Sequence, residues 1–328
     1  MTGKAFFLFP GQGAQYPGMA LDFLSSGSAA VKALFESASE IFGKDAKTLL
    51  ESGIDVLKRT DVSQPAITLT NLAAAAYLAE KGISPAGCAG FSLGEYAALA
   101  VAGVITKEDC FMLVNQRGKA MQESADEMEA RGTSADGKNV PGMAAVMGLE
   151  PAKVEALIAE WKAGGSAAIQ EIYAANINSP KQTVVGGTAE ALAEAETLFT
   201  AAGARRYMRL QVNCPFHTPL LVGAAERFLP FLDNVEFKDP AIPVFSNVSG
   251  KRLSSGEEAK KMALAHITNP VRWFEELLSI AAFGGMDCLL EVGPGKVLQG
   301  LWKDSGSSLP CYTAGTVEDI ERIITEAT

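Results

Sequence analysis

Short apolar stretches alternate along this chain with longer segments whose apolar positions recur at helical spacing. Lys4–Phe9 is apolar after its one lysine, which predicts a core strand. Ala30–Phe42 and Pro65–Lys81 predict helices, followed by a strand at Gly87–Gly90 and a helix at Glu95–Ala102. This alternation predicts an α/β layer with functional groups at the carboxyl ends of its strands. Lys107–Glu123 predicts another helix. From Glu123 to Gly142 the chain turns polar, as in Gly132-Thr133-Ser134-Ala135-Asp136-Gly137-Lys138, which predicts a flexible connection.

A different order follows. Met143–Gly148 predicts a strand, Pro151–Lys162 a helix opened by proline, and Ile172–Ile177 and Gln182–Val185 two strands. Ala189–Ala202 predicts a helix and Arg206–Gln211 a strand. The order βαββαβ is the ferredoxin-like plan. The expected fold class is therefore α/β, a large α/β-hydrolase-like domain (1–142 and 212–328) with an inserted small ferredoxin-like domain (143–211). Val244–Asn247 and Cys288–Glu291 are the clearest strands of the last part.

The 328 residues allow a large core, and 48% apolar with 20% charged residues is ordinary for a soluble globular enzyme. No apolar run reaches the length of a membrane span, so no membrane association is expected. Five scattered cysteines without a C-x-x-C pair argue for reduced thiols, a cytoplasmic setting and no metal. The stretch before Pro10 reads as a core strand and not as a signal peptide. Lys and Arg number 28 against 38 Asp and Glu, a net charge of −10, which makes nucleic acid an unsuitable partner. The densest basic cluster is Arg205, Arg206 and Arg209. Two glycine-rich lookalikes, Gly11–Tyr16 and Gly293–Val297, lack the spacing of a dinucleotide fingerprint or a phosphate loop, and read as strand-to-helix turns facing the cleft.

The chemistry is carried by Gly90-Phe91-Ser92-Leu93-Gly94-Glu95-Tyr96. A serine between two glycines, after a strand and before a helix, suits a sharp turn that lifts the hydroxyl clear of the sheet and sets the next N–H beside it. The bland alternative is a plain glycine-rich turn. A serine nucleophile needs a base, and the chain has two histidines. His217 lies in a loop bracketed by Pro215 and Pro219, whereas His266 ends a predicted helix that Pro270 stops. His217 is the better base, because general-base work needs a held, reachable imidazole. No acidic motif lies between Ser92 and His217, so a backbone carbonyl is a candidate to orient the ring.

With these residues in view, the chain resembles the malonyl-CoA:acyl-carrier-protein transacylases, the acyltransferases of fatty-acid and polyketide synthesis. The matching segments are Phe9 to Gln15, Gln64-Pro65-Ala66, Gly90 to Tyr96, Gln116-Arg117-Gly118, Asn178-Ser179-Pro180, Pro215 to His217, Asn269-Pro270-Val271 and Glu291 to Gly295. They span nearly the whole chain in the family's order. The resemblance implies Ser92 as nucleophile and His217 as base. It implies an oxyanion hole from the Gln12 and Leu93 backbone N–H groups, and Arg117 as the clamp on the malonyl carboxylate. It also implies a main-chain carbonyl that steadies the active histidine, placed by position on His266. Gln64, Met121, Phe216 and Asn178 join the implied substrate-binding set, with Phe216 suited to an unbranched malonyl group. The residue before the serine is commonly histidine in the family and here is Phe91, a change that bears on pocket shape. The implied reaction carries malonyl from malonyl-CoA to the phosphopantetheine thiol of acyl carrier protein through an acyl-serine. The coenzyme A thioester is then a substrate, no permanent cofactor is needed, and a monomer is the expected state. A hydrolase that frees acyl groups and a non-catalytic carrier-protein docking module are the alternatives. Arg117 argues against the first, and the intact Ser92, His217 and Gln12 against the second.

Overall fold

All five residues of β1 (Ala5–Phe9) are buried, and this strand sits inside a parallel sheet. The computed structural model describes residues 4–132, 140–212 and 214–326. The sheet runs β10-β9-β1-β2, with β2 at Pro85–Gly90, β9 at Cys288–Glu291 and β10 at Cys311–Thr313, and every pairing in it is parallel. A parallel sheet must be covered on both faces, which is why β1 is apolar throughout instead of alternating. Phe7 and Phe9 point into the larger core with the helix Thr60–Glu80, while Phe6 and Leu8 pack with Trp273, Leu289 and Trp302 on the other face.

A second, four-stranded sheet is antiparallel, in the order β4-β5-β3-β6. Its strands are β3 (Gly142–Met147), β4 (Ile172–Ser179), β5 (Gln182–Gly187) and β6 (Arg206–Arg209). The helices Pro151–Gly164 and Ala189–Ala201 share a separate core with it, built from Val146, Val154, Val185, Leu192 and Phe199. Its other face carries Met143, Ala145, Ala175 and Val184. The segment before the helix Trp273–Phe283 bridges to β4, where the Val271 N–H donates to Ala175 O and the Ile177 N–H to Val271 O, each at 2.8 Å.

Several elements depart from the sequence expectation. The helix expected to end at Glu123 continues to Gly132. Its polar extension is held by Arg227, which bonds Ser124 Oγ at 2.8 Å and pairs with Glu123 and Glu127. Of the expected flexible connection, residues 133–139 lie outside the described residues. The helix expected at Pro65 starts at Thr60, so the proline lies inside it and leaves the Asp61 carbonyl without its usual donor. The strand expected over Val244–Asn247 shortens to β7 (Phe245–Ser246), paired with β8 (Lys251–Arg252), and Val244 bridges Cys88 of β2. The strand expected over Arg206–Gln211 stops at Arg209; the Leu210 N–H still donates to Met143 O at 2.9 Å, and Leu210 and Gln211 line the cleft. Gly293–Lys296 does not line that cleft. It packs behind the Gly11–Gln15 turn, with Gly295 against Ala14.

Candidate active site

Ser92 sits at the carboxyl end of β2, two residues before the helix Gly94–Val101. Its φ is +50°, a conformation that side chains rarely adopt and that costs about 1–3 kcal/mol. Both neighbouring glycines make the corner possible. A β-carbon on Gly90 would collide with the Gly94 backbone, and one on Gly94 with the Phe9 carbonyl. The turn therefore presses against the end of β1, and Gly11 lies beside Phe91 and Leu93.

The Ser92 hydroxyl stands 2.7 Å from His217 Nε2. The other ring nitrogen, Nδ1, is 2.8 Å from the His266 carbonyl oxygen. A carbonyl only accepts, so Nδ1 carries the proton and Nε2 presents its lone pair to the serine hydroxyl. His217 also has positive φ, +60°, and is 3% exposed. Burial, helped by the charge of Arg117 and opposed by the His266 carbonyl, pushes its pKa down to about 3. The ring is thus neutral and able to accept a proton at ordinary pH. The His266 ring stacks on it, 4.9 Å between centroids, and among the described residues neither His266 ring nitrogen has a hydrogen-bond partner.

Arg117 lies on the helix Lys107–Gly132 and is 1% exposed. Its Nη1 donates to Gln64 Oε1 at 2.9 Å, and its guanidinium carbon lies 5.5 Å from the Tyr96 ring centroid. Among the described residues, Nε and Nη2 have no partner. Nε and Nη2 form one edge of the guanidinium, the edge whose two parallel N–H groups suit a carboxylate. Gln64 also donates to Met121 Sδ at 3.4 Å, and the Asn178 amide donates to Gln182 while its Oδ1 has no partner among the described residues.

A cleft of about 480 Å³ gathers these groups between the two sheets. Gln12, Leu93, Ser92, Arg117 and His217 line it, and so do Gln64, Met121, Asn178 and Phe216. His266 does not line it, and contributes its carbonyl from behind His217. Phe91 lines it too, edge-on to Trp273 at 5.3 Å. Among the described residues, no protein acceptor takes the backbone N–H of Gln12 or of Leu93. The Ser92 N–H, by contrast, is occupied, donating to Asn247 Oδ1 at 2.6 Å.

Sequence reasoning passed over three buried residues beneath the serine. Asn247, Glu95 and Glu276 are 0%, 1% and 0% exposed. The Asn247 N–H donates to Glu95 Oε2, and its side-chain amide donates to Glu276 Oε2, both at 2.9 Å. Burial raises the Glu95 carboxyl to about 8, opposed by the Asn247 N–H and by Arg117. Burial and the neighbouring Glu95 raise Glu276 well above the carboxylate range. For Glu95 a signal existed, a carboxylate opening an otherwise apolar helix. For Asn247 and Glu276 there was none.

Residues 6–323 match the model of the acyl transferase domain family. The malonyl CoA-acyl carrier protein transacylase of Escherichia coli strain K12 is 38% identical over 299 residues, which cover 90% of this chain and 91% of the relative. The crystal structure of an acyl carrier protein S-malonyltransferase from Vibrio cholerae superposes with a TM-score of 0.87 at 34% identity, covering 98% of this chain and 99% of the other. A malonyl-transacylase solved in complex with a type II PKS acyl-carrier protein superposes with a TM-score of 0.86 at 33% identity, covering 98% and 99%. The motif series, the fold and these likenesses agree, and the chain belongs to the acyltransferase family of the malonyl-CoA:acyl-carrier-protein transacylases.

Proposed function

We propose that this enzyme moves a malonyl group from malonyl-CoA to the phosphopantetheine thiol of acyl carrier protein through an acyl-Ser92 intermediate. His217 Nε2 takes the Ser92 proton as the oxygen attacks the thioester carbonyl. The Gln12 and Leu93 N–H groups hold the oxyanion, each such donor being worth about 3–4 kcal/mol in a dry site. The coenzyme thiolate leaves and takes the proton from His217. The carrier thiol then attacks the acyl-serine, with His217 again moving the proton. Gln64, Met121, Asn178 and Phe216 shape the acyl chamber.

The carrying observation is Arg117, a buried cation lining the same cleft as Ser92 and His217, with two donors that have no partner among the described residues. An acyl group with a free carboxylate completes it, and a plain acetyl group does not. We read the architecture as a hydrolase-like layer (1–142 and 212–328) carrying an inserted ferredoxin-like unit (143–211). The βαββαβ order and the antiparallel sheet β4-β5-β3-β6 support that reading. No helix among the described residues is long and apolar enough to cross a membrane, and the scattered thiols suit a cytoplasmic enzyme.

The test is incubation with an equimolar mixture of malonyl-, acetyl- and methylmalonyl-CoA, followed by mass measurement of the intact protein. A malonyl adduct that is discharged on adding phosphopantetheine-bearing carrier protein is the expected result. Discharge to free malonate at the same rate with or without the carrier would make the enzyme a hydrolase.

A further inference from the structure

The side-chain amide of Asn247 spans the turn that presents Ser92. Its Oδ1 accepts the Ser92 N–H at 2.6 Å, and its Nδ2 donates to the Gly90 carbonyl at 2.7 Å. One amide thus grips the chain on both sides of Phe91. The second Nδ2 proton goes to Glu276 Oε2 at 2.9 Å. This set fixes which way the amide points, since a flipped amide would set its NH₂ against the Ser92 N–H and its oxygen against a carbonyl and a carboxyl group.

The backbone of Asn247 is held as firmly as its side chain. Its N–H donates to Glu95 Oε2 at 2.9 Å, and its carbonyl accepts the Arg272 N–H at 2.7 Å. Glu95 belongs to the helix that follows the serine, and Glu276 to the helix Trp273–Phe283. Asn247 therefore clamps the turn to two helices from a fully buried position. The clamp has a strained conformation to hold, because Ser92 keeps φ at +50°. Occupying the Ser92 N–H also leaves Leu93 as the donor on this turn that faces the cleft.

We infer that Asn247 is a positioning residue for acyl transfer, whose amide holds the Ser92 turn so that the hydroxyl meets His217 Nε2. It touches neither substrate nor the transferred proton. The inference rests on the reading of Ser92 as nucleophile. A misplacement of about 1 Å at such a centre costs on the order of a hundredfold in rate.

The experiment compares the parent, Asn247→Leu, the double variant Asn247→Asp with Glu276→Gln, and Ser92→Ala. Rapid-quench acylation by malonyl-CoA is read beside the equilibrium affinity for a non-reactive malonyl-CoA thioether analogue. Asn247→Leu removes both side-chain grips at similar volume. It should slow acylation about a hundredfold, with analogue affinity within about threefold and a cooperative melt retained. The double variant introduces a buried carboxyl group that, in its protonated form, accepts the Ser92 N–H, donates its O–H to the Gly90 carbonyl and accepts from the new amide at residue 276. It should recover about tenfold of that rate, because the bond closest to the serine is the one rebuilt. A general loss of packing would lower stability in both variants without this recovery. If Asn247→Leu does not fold, Asn247→Ser takes its place under the same thresholds. Acylation of Asn247→Leu within about threefold of the parent, or a loss seen wholly in analogue affinity, overturns the inference while Ser92→Ala stays unlabelled. A malonyl adduct on Ser92→Ala overturns the nucleophile reading itself, and the inference with it.

Discussion

The ring of His217 hydrogen-bonds the backbone carbonyl of His266 at 2.8 Å, while the two imidazoles stack with their centroids 4.9 Å apart. One histidine thus uses its ring and the other its main chain. His217→Ala should slow acylation and transfer about a hundredfold or more, since it removes the proposed proton acceptor. His266→Ala keeps the carbonyl and should leave acylation within a few fold. It opens a cavity behind the base, so its penalty should appear in the melting temperature, buried large-to-small changes costing about 2–5 kcal/mol. Pre-steady-state acylation and thermal melts of both variants check the division. Equal kinetic losses would mean that the His266 ring takes part in the chemistry.

Arg117→Ala should alter substrate preference more than reactivity at Ser92. The guanidinium is buried, and Nε and Nη2 have no partner among the described residues. Under the proposed function, removing it leaves the malonyl carboxylate without its partner, a loss of roughly 3–5 kcal/mol for a buried pair. Malonyl transfer should fall by orders of magnitude, whereas acetyl transfer should hold or rise. Arg117→Lys should rescue poorly, being a point charge without the planar fork. Acylation rates with malonyl-CoA and acetyl-CoA decide it, and equal losses for both would move malonate recognition elsewhere.

Glu95 should make stability fall as pH rises through neutrality. The unfolded carboxyl releases its proton near 4.5, while the folded one holds it to about 8. Between those values the folded state binds more protons, so its stability declines with rising pH. His217 acts at the other end. Its folded pKa of about 3 against 6.5 means that stability is lost as pH falls below 6.5. Glu95→Gln keeps an acceptor for the Asn247 N–H and should flatten the decline between pH 5 and pH 8. Melting temperatures of parent and variant across that range should converge toward pH 5 and separate toward pH 8. Parallel curves would show that Glu95 ionises alike in both states.

The basic strand β6 should serve an anionic partner. Arg206 and Arg209 on it, and Arg205 just before it, are exposed, and the chain runs on into the cleft lining at Leu210. Against a net charge of −10, these cations are a local exception. Arg206→Glu with Arg209→Glu should raise the KM for carrier protein severalfold at low salt, with less effect in high salt. The acylation rate with malonyl-CoA should stay near the parent's. No change in carrier KM at low salt would mean that the cluster is a solvated surface.

The serine corner was legible because its requirements are local. Gly90 and Gly94 must lack side chains where the turn crowds the end of β1, and an apolar strand before with an apolar helix after marks the crossing. The βαββαβ order was legible for the same reason, since strand and helix periods are written in neighbouring residues. The clamp beneath the serine was not. Asn247 reaches Ser92 across 155 positions and Gly90 across 157, and a hydrogen bond over that separation leaves no periodic trace. Nor did local pattern say that the Lys107 helix would run on to Gly132, because its polar end is held by Arg227 from a distant helix. The same holds for the depth of Arg117, set by the closing of Gln64 and Tyr96 around it. Sequence by itself determined which residues can react, through side-chain chemistry and backbone freedom. Only the tertiary structure decided how they are desolvated and aimed, because burial and long-range hydrogen bonds exist only once the sheets and helices have packed.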